Sequence, residues 1–470
     1  MALLLVFLVF ILASLIPCLL FFGRSLLALF LAPLLTAVSA ALSAQLEVVF
    51  TGSFLAWFIG VVVAVNIVSI LLNWKKRKDS SSLLSTRWML VVIAVVFLEM
   101  VLPVIELRYP LNTVDGFATY YLHALFLASG HSHIVASLQN PALFFMNQNY
   151  PLLDPASQVT AFVITGSRNA RLGMLVIAWL DICALIVVVV GLIQFVPGWF
   201  SRKVKLLTVV ILGLNAVVGL ALDASYVFSG DADLLWSACA VAAVIFGTLL
   251  PRNRVHFGIA TLMIVLISVT KNEGFITAIF LACVLIWRYR NDLKVIRSRA
   301  GIVQRLFVFG SLTLVLTSPG WWWELYVIKN HLSQAFFNGF THTEPPIQRI
   351  WPALISIGHF LSVGILALGL WVLMPGKGKR QRRTLDIASS SYLWWTILWY
   401  LGALMGTYVF GVLEIHYWLL SSTNRTTIFP VQLFFVELSI WFIVAISVAF
   451  GKKAERGSSL HSEVQLGQQK

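Results

Sequence analysis

Apolar residues run in long blocks along this chain, separated by short polar connections. A run of about 20 apolar residues crosses the ~30 Å hydrocarbon core of a bilayer as a helix. Such blocks fall near 3–22, 26–45, 52–73, 88–106, 172–197, 206–222, 234–250, 255–270, 274–288, 303–318, 351–373, 390–412 and 430–449. They predict an all-α polytopic membrane protein with about thirteen transmembrane helices. Residues 1–87 carry the N-terminal helices and 88–450 the main transmembrane region, with a large loop at 107–171; 451–470 form a polar tail expected to be disordered. The blocks 255–270 and 274–288 are short and barely reach across at ~1.5 Å rise per residue. Their junction, Thr270-Lys271-Asn272-Glu273-Gly274, is therefore expected inside the bundle. The stretch Pro155 to Gly166 is apolar but too short to cross, so residues 116–166 are expected as juxtamembrane helices on the outer face.

Composition agrees with this pattern. Of 470 residues 59% are hydrophobic, against about 45–50% in soluble proteins, and the length leaves no room for a large soluble domain. The formal net charge is +14. In a soluble chain that excess would point to nucleic acid; here its placement argues against that partner. Basic clusters lie at Lys75–Lys78, Arg202–Lys205, Arg252 with Arg254, Arg288–Arg305, Lys377–Arg383 and Lys452-Lys453, at every second connection. The positive-inside rule assigns those connections to the cytoplasm, with the amino terminus outside and the carboxyl terminus inside. Of 33 Lys and Arg, only Arg108, Arg168, Arg171, Lys271, Lys329, Arg349 and Arg425 then fall outside. Cys18, Cys183, Cys239 and Cys283 all lie in apolar runs and read as inert buried thiols.

The connections assigned to the outer face hold most of the polar chemistry. Asp115 opens a stretch rich in aromatics that includes Tyr120, Tyr121, His123 and Phe126, and Tyr150-Pro151 follows. Asp231 and Asp233 lie in the next outer segment, Lys271 and Glu273 in the short turn, and Arg425 before the last span. Carboxylates accept a proton from a hydroxyl nucleophile, cations hold a phosphate, and aromatics stack on sugars or anchor at the interface. Blander roles fit the same residues. Asp115, Asp231 and Asp233 suit helix N-caps, Lys271 and Glu273 suit a mutually neutralising pair, and His123 suits a packed ring. Trp321 to Trp323 suits an interface anchor.

As an ordered set these residues resemble the GT-C glycosyltransferases. The set is Asp115 in the first large outer loop, a helix bearing His123-Ala124, Tyr150-Pro-Leu-Leu-x-Pro155, Lys271-x-Glu273-Gly274 and Asn424-Arg425-x-x-x-x-Pro430. The branch is that of protein O-mannosyltransferases and the lipid A aminoarabinose transferase, and the likeness covers roughly residues 88–450. It implies transfer of a sugar, with inversion, from a polyprenyl-phosphate donor to a hydroxyl of a cell-envelope acceptor. The reaction would take place on the outer face of the cell membrane. The acceptor class (glycan, glycolipid or protein) stays open. The likeness assigns Asp115 as general base, Lys271 and Glu273 as the turn's cation and carboxylate, and Arg425 to the donor phosphate. His123, Tyr150, Asp231 and Asp233 complete the expected substrate site. No cofactor is expected, and a divalent cation stays open. Two positions depart from the pattern: Gly116 stands where a second acid is frequent, and Leu125 where a lysine is frequent. A secondary transporter or lipid-linked sugar flippase is the alternative, although such proteins usually show repeated halves and this chain shows none.

Overall fold

The computed structural model describes residues 2–23, 26–73, 85–106, 115–196, 202–221, 232–292, 302–332, 345–373, 387–410, 415, 419 and 426–446. Among them 88% are helical and none is in a strand. Each of the thirteen apolar blocks falls on a helix. These are α1 (Ala2–Phe22), α2 (Ala28–Val49), α3 (Phe54–Asn73) and α4 (Thr86–Glu106). Next come α8 (Ala170–Ile193), α9 (Arg202–Ala221), α10 (Asp233–Val244), α11 (Arg254–Ser268) and α12 (Asn272–Tyr289). The series ends with α13 (Ile302–Lys329), α14 (Pro346–Leu373), α15 (Ile387–Phe410) and α16 (Ile428–Ile446). Seven helices among the described residues are long and apolar enough to cross a membrane: α1, α2, α3, α8, α12, α15 and α16. The chain is thus an all-α protein with the helices of a polytopic membrane protein.

Prolines inside apolar helices show how the bundle keeps its backbone satisfied. A proline lacks the N–H that would bond the carbonyl four residues back, and in lipid that carbonyl needs another donor. Pro17 of α1 leaves the Ala13 carbonyl, which receives the Asn66 side-chain amide of α3 at 2.8 Å. Pro319 of α13 leaves the Val315 carbonyl, which receives the Ser318 hydroxyl at 2.9 Å. The Thr36 hydroxyl of α2 donates to the Phe10 carbonyl of α1 at 2.7 Å, a further tie within this corner.

Between α4 and α8 lie short helices. A π-helical segment, Asp115–Tyr121, leads into α5 (Leu122–Ala128). Then come α6 (His131–Gln139), a 3-10 segment Pro141–Met146 and α7 (Leu153–Thr165). Helix α7 is 13 residues long, or ~20 Å, too short to cross as expected. It does not, however, lie with one face open. Residues from Leu153 to Phe162 are all buried, packed among α1, α2, α5 and α8. From Leu153 to Phe162 the helix packs within the bundle, and its exposed part begins at Val163.

Two of the outer-assigned polar groups hold this region together. Arg168 donates to the Ala128 carbonyl and the Ser129 hydroxyl, both at 3.1 Å, and so caps the end of α5. Asn147 has positive φ, which asparagine tolerates, and its amide donates to the Thr119 hydroxyl at 3.0 Å.

Candidate functional site

Several helices meet at the end of the bundle where α7, α10, α12 and α16 begin and α11 ends. The Leu153 N–H at the start of α7 donates to the Val269 carbonyl at the end of α11, 3.1 Å away. Lys271 follows in an extended conformation (φ −154°, ψ 157°) and precedes the first turn of α12. That turn sits so close to α11 that a Cβ on Gly274 would lie 2.5 Å from the Ile267 carbonyl oxygen. The short spacing of Lys271-x-Glu273-Gly274 thus folds into a tight reversal, and the Lys271 side chain is driven inward.

The Lys271 ammonium lies 2.6 Å from Asp233 Oδ1, and both side chains are almost fully buried, at 3% and 2% exposure. The Tyr150 ring centroid is 5.9 Å from the same nitrogen, and Tyr120 packs on Tyr150 at 6.3 Å between ring centroids. A buried lysine needs such partners, because its desolvation costs several kcal/mol. The structure therefore brings together Lys271, Asp233 and Tyr150 from the expected site. It also corrects one pairing considered for it. The lysine's partner is Asp233, from a different helix, and not Glu273, whose Oε2 is buried with no hydrogen-bond partner among the described residues. The Oδ1 of Asn272 is in the same state.

Trp236, one turn beyond Asp233 on α10, links this corner to α15 and α16. Its ring packs on Tyr400 (5.7 Å) and Phe429 (5.4 Å). The Tyr400 hydroxyl donates to the Thr426 carbonyl at 2.7 Å, and the Tyr408 hydroxyl meets the Thr426 hydroxyl at 2.9 Å. Thr426 is thus tied to both tyrosines. Arg425 and Asp231 lie outside the described residues, as does the side chain of Asp115, whose backbone begins the π-helical segment.

His123 is fully buried, and neither ring nitrogen has a hydrogen-bond partner among the described residues. Burial pushes its imidazole down to about 4, so the ring is neutral at physiological pH. No hydrogen bond among the described residues joins it to the Lys271–Asp233 pair, and its position is that of a packed ring. No group of three or more His, Cys, Asp or Glu is placed to hold a metal among the described residues.

Three buried carboxylates escaped the sequence reading. Glu47 of α2, Asp181 of α8 and Glu437 of α16 are buried, and neither oxygen of any of them has a hydrogen-bond partner among the described residues. Asp154, at the start of α7, is buried too and acts electrostatically on Asp181. Each is an acid within or beside an apolar run, which is by itself a signal of function in a membrane protein. No known protein family, curated protein or solved structure matches this chain.

Proposed function

We propose that this protein is an integral membrane glycosyltransferase with about thirteen crossings. It moves a sugar from a polyprenyl-phosphate donor to a hydroxyl acceptor at the outer face of the cell membrane. The observation that carries this reading is the buried Lys271–Asp233 pair, reached by Tyr150 and Tyr120 from the long connection after α4. Distant parts of the chain converge there on carboxylates, a cation and aromatic rings at one end of the bundle. The motif resemblance and the basic clusters at alternate connections point the same way.

In this reaction the acceptor hydroxyl attacks the anomeric carbon, the bond from that carbon to the phosphate oxygen breaks, and the polyprenyl phosphate leaves. Asp115 takes the hydroxyl proton. Arg425 holds the leaving phosphate by charge-assisted hydrogen bonds. The test is a donor screen of the purified chain in lipid, with a panel of polyprenyl-phosphate sugars and labelled envelope glycans, glycolipids and peptides. Transfer of label with release of polyprenyl phosphate supports the reading. Movement of an intact lipid-linked sugar across vesicles without cleavage overturns it.

That second outcome belongs to a transporter or flippase, the reading that Asp181 and Glu437 favour. Carboxylates in the interior of a transmembrane bundle often mark ion paths.

A further inference from the structure

Lys271 has a strong, charged acceptor in Asp233 at 2.6 Å. Its charge is matched within the protein, which leaves little for a ligand anion. Two atoms beside it present the opposite need. Asn272 Oδ1 and Glu273 Oε2, in the first turn of α12, are buried acceptors with no donor among the described residues. On α10, packed against the same turn, is a donor with no acceptor among the described residues. The Trp236 indole Nε1 has no hydrogen-bond partner among the described residues, and the residue is 1% exposed. Its Cβ lies 3.7 Å from the point where a Cβ on Gly274 would stand, which places Trp236 against the same turn. Glu273 and Asp233 both act electrostatically on the Tyr400 phenol, whose ring packs on Trp236. The groups therefore share one corner.

Buried polar atoms without partners are uncommon, and each calls for a ligand or water. For these three residues the unmet valence is two acceptors and one donor among the described residues. A phosphate is an acceptor only and would leave both oxygens unmet. An ammonium is a donor only and would leave the indole unmet. A hydroxyl both donates and accepts. We propose that Asn272, Glu273 and Trp236 form a shelf that reads sugar hydroxyls, and that Lys271 stays committed to Asp233 and does not receive the donor phosphate. The shelf rests on the glycosyltransferase reading and assigns a part of the substrate to a part of that site. It makes these three residues determinants of which sugar is used.

The experiment measures binding by the full-length protein in nanodiscs. The probes are the polyprenyl-phosphate hexose that the wild type accepts, its single-deoxy analogues and bare polyprenyl phosphate. The variants are Asn272→Ala, Glu273→Ala, Glu273→Gln and Trp236→Phe. One lost hydrogen bond to a hydroxyl weakens binding by about tenfold. Asn272→Ala, Glu273→Ala and Trp236→Phe should each cost about that factor for the sugar donor. They should also abolish the penalty of one deoxy analogue, as coupled partners do. Bare polyprenyl phosphate should bind all variants as it binds the wild type. Glu273→Gln keeps an acceptor oxygen and should bind the hexose donor nearly as well as the wild type. Three results overturn the shelf while leaving the reading of function intact. They are equal weakening of bare polyprenyl phosphate, deoxy penalties unchanged in every variant, and a Glu273→Gln loss as large as that of Glu273→Ala, which would indicate a charged ligand group. A wild type that binds none of the polyprenyl-phosphate sugars overturns the reading of function, and the sugar shelf with it.

Discussion

A lysine buried beside one carboxylate is held by what it would cost to remove either partner. Breaking a buried ion pair from one side typically costs about 3–5 kcal/mol, because the remaining charge is left without compensation. Lys271→Met and Asp233→Asn should each lower stability by about that amount, measured by chemical denaturation in detergent. The double variant Lys271→Met/Asp233→Leu should recover most of the loss, since a packed apolar pair often replaces a buried ion pair without cost. Equal destabilisation by the single and double variants would show that the pair contributes through its shape and not its charge. His123 makes a prediction in pH. Its ring is neutral in the fold down to about 4, while an ordinary imidazole takes its proton near 6.5. The unfolded chain therefore binds the extra proton first as pH falls. The stability that His123 contributes is complete above 6.5, declines between 6.5 and about 4, and is flat below. The melting temperature of His123→Leu should fall less steeply than that of the wild type across this window, and parallel curves would contradict the assignment. Asp115 is tested by chemistry. Asp115→Asn keeps shape and cap ability but takes no proton, so turnover should fall by about 10²–10⁴-fold while donor binding survives. An active Asp115→Asn enzyme would leave Asp115 as a helix cap and move the search for the base to Asp233, Glu273 and Asp231.

Among the elements, the reversal between α11 and α12 is tightly packed at the site. Gly274 has no room for a methyl group, because the contact it would make is a backbone oxygen at 2.5 Å. Gly274→Ala must push the first turn of α12 away from Ile267 and shift Asn272 and Glu273 with it. Overpacking of this kind costs about 1–3 kcal/mol. Donor binding should weaken further than stability alone explains, which a comparison of affinity and melting temperature would show. Gly173 offers a contrast: the nearest atoms to its would-be Cβ belong to the Gln158 side chain and not to a backbone, so Gly173→Ala should be milder. The helices on the thirteen apolar blocks were legible in the sequence, because long apolar runs admit little else. The partner of Lys271 was not legible. Asp233 is 38 residues away, on a helix whose facing is fixed only by packing. The role of Arg168 as a cap was hidden for the same reason, since its contacts lie 39 and 40 residues back. Asp181 and Glu437 stand as single acids in apolar runs, a pattern that shows the acid but not its burial without a partner.

For the whole molecule the deciding quantity is which end of the bundle faces out. The Lys271–Asp233 corner shares its end with Thr426 and the start of α7. Among the described residues, Arg252 and Arg288 lie at the other end. There Arg288 donates to the Gly247 and Leu250 carbonyls at 2.9 and 2.8 Å, and Arg252 meets Asp292 at 3.6 Å. Cations at a helix C-terminus are stabilising in themselves, so structure and orientation make the same demand on Arg288. Labelling with a membrane-impermeant thiol reagent separates the two ends. All four native cysteines are free, and a background with each replaced by alanine or serine removes them. Ser167→Cys is the outer probe, because Ser167 is exposed, whereas its neighbour Asn169 is not disposable. The Asn169 side chain accepts the Arg171 N–H at 2.9 Å and caps α8, a bond worth about 1 kcal/mol. Lys203→Cys, exposed at the start of α9, is the inner probe. In intact cells Ser167→Cys should label and Lys203→Cys should not; after permeabilisation both should. The reverse pattern would place the Lys271–Asp233 corner on the cytoplasmic side. It would also put the basic clusters outside, against the charge rule that oriented them. A polyprenyl-phosphate sugar would then have to be used before it crossed the membrane, and the proposed outer-face transfer would fail at its first step.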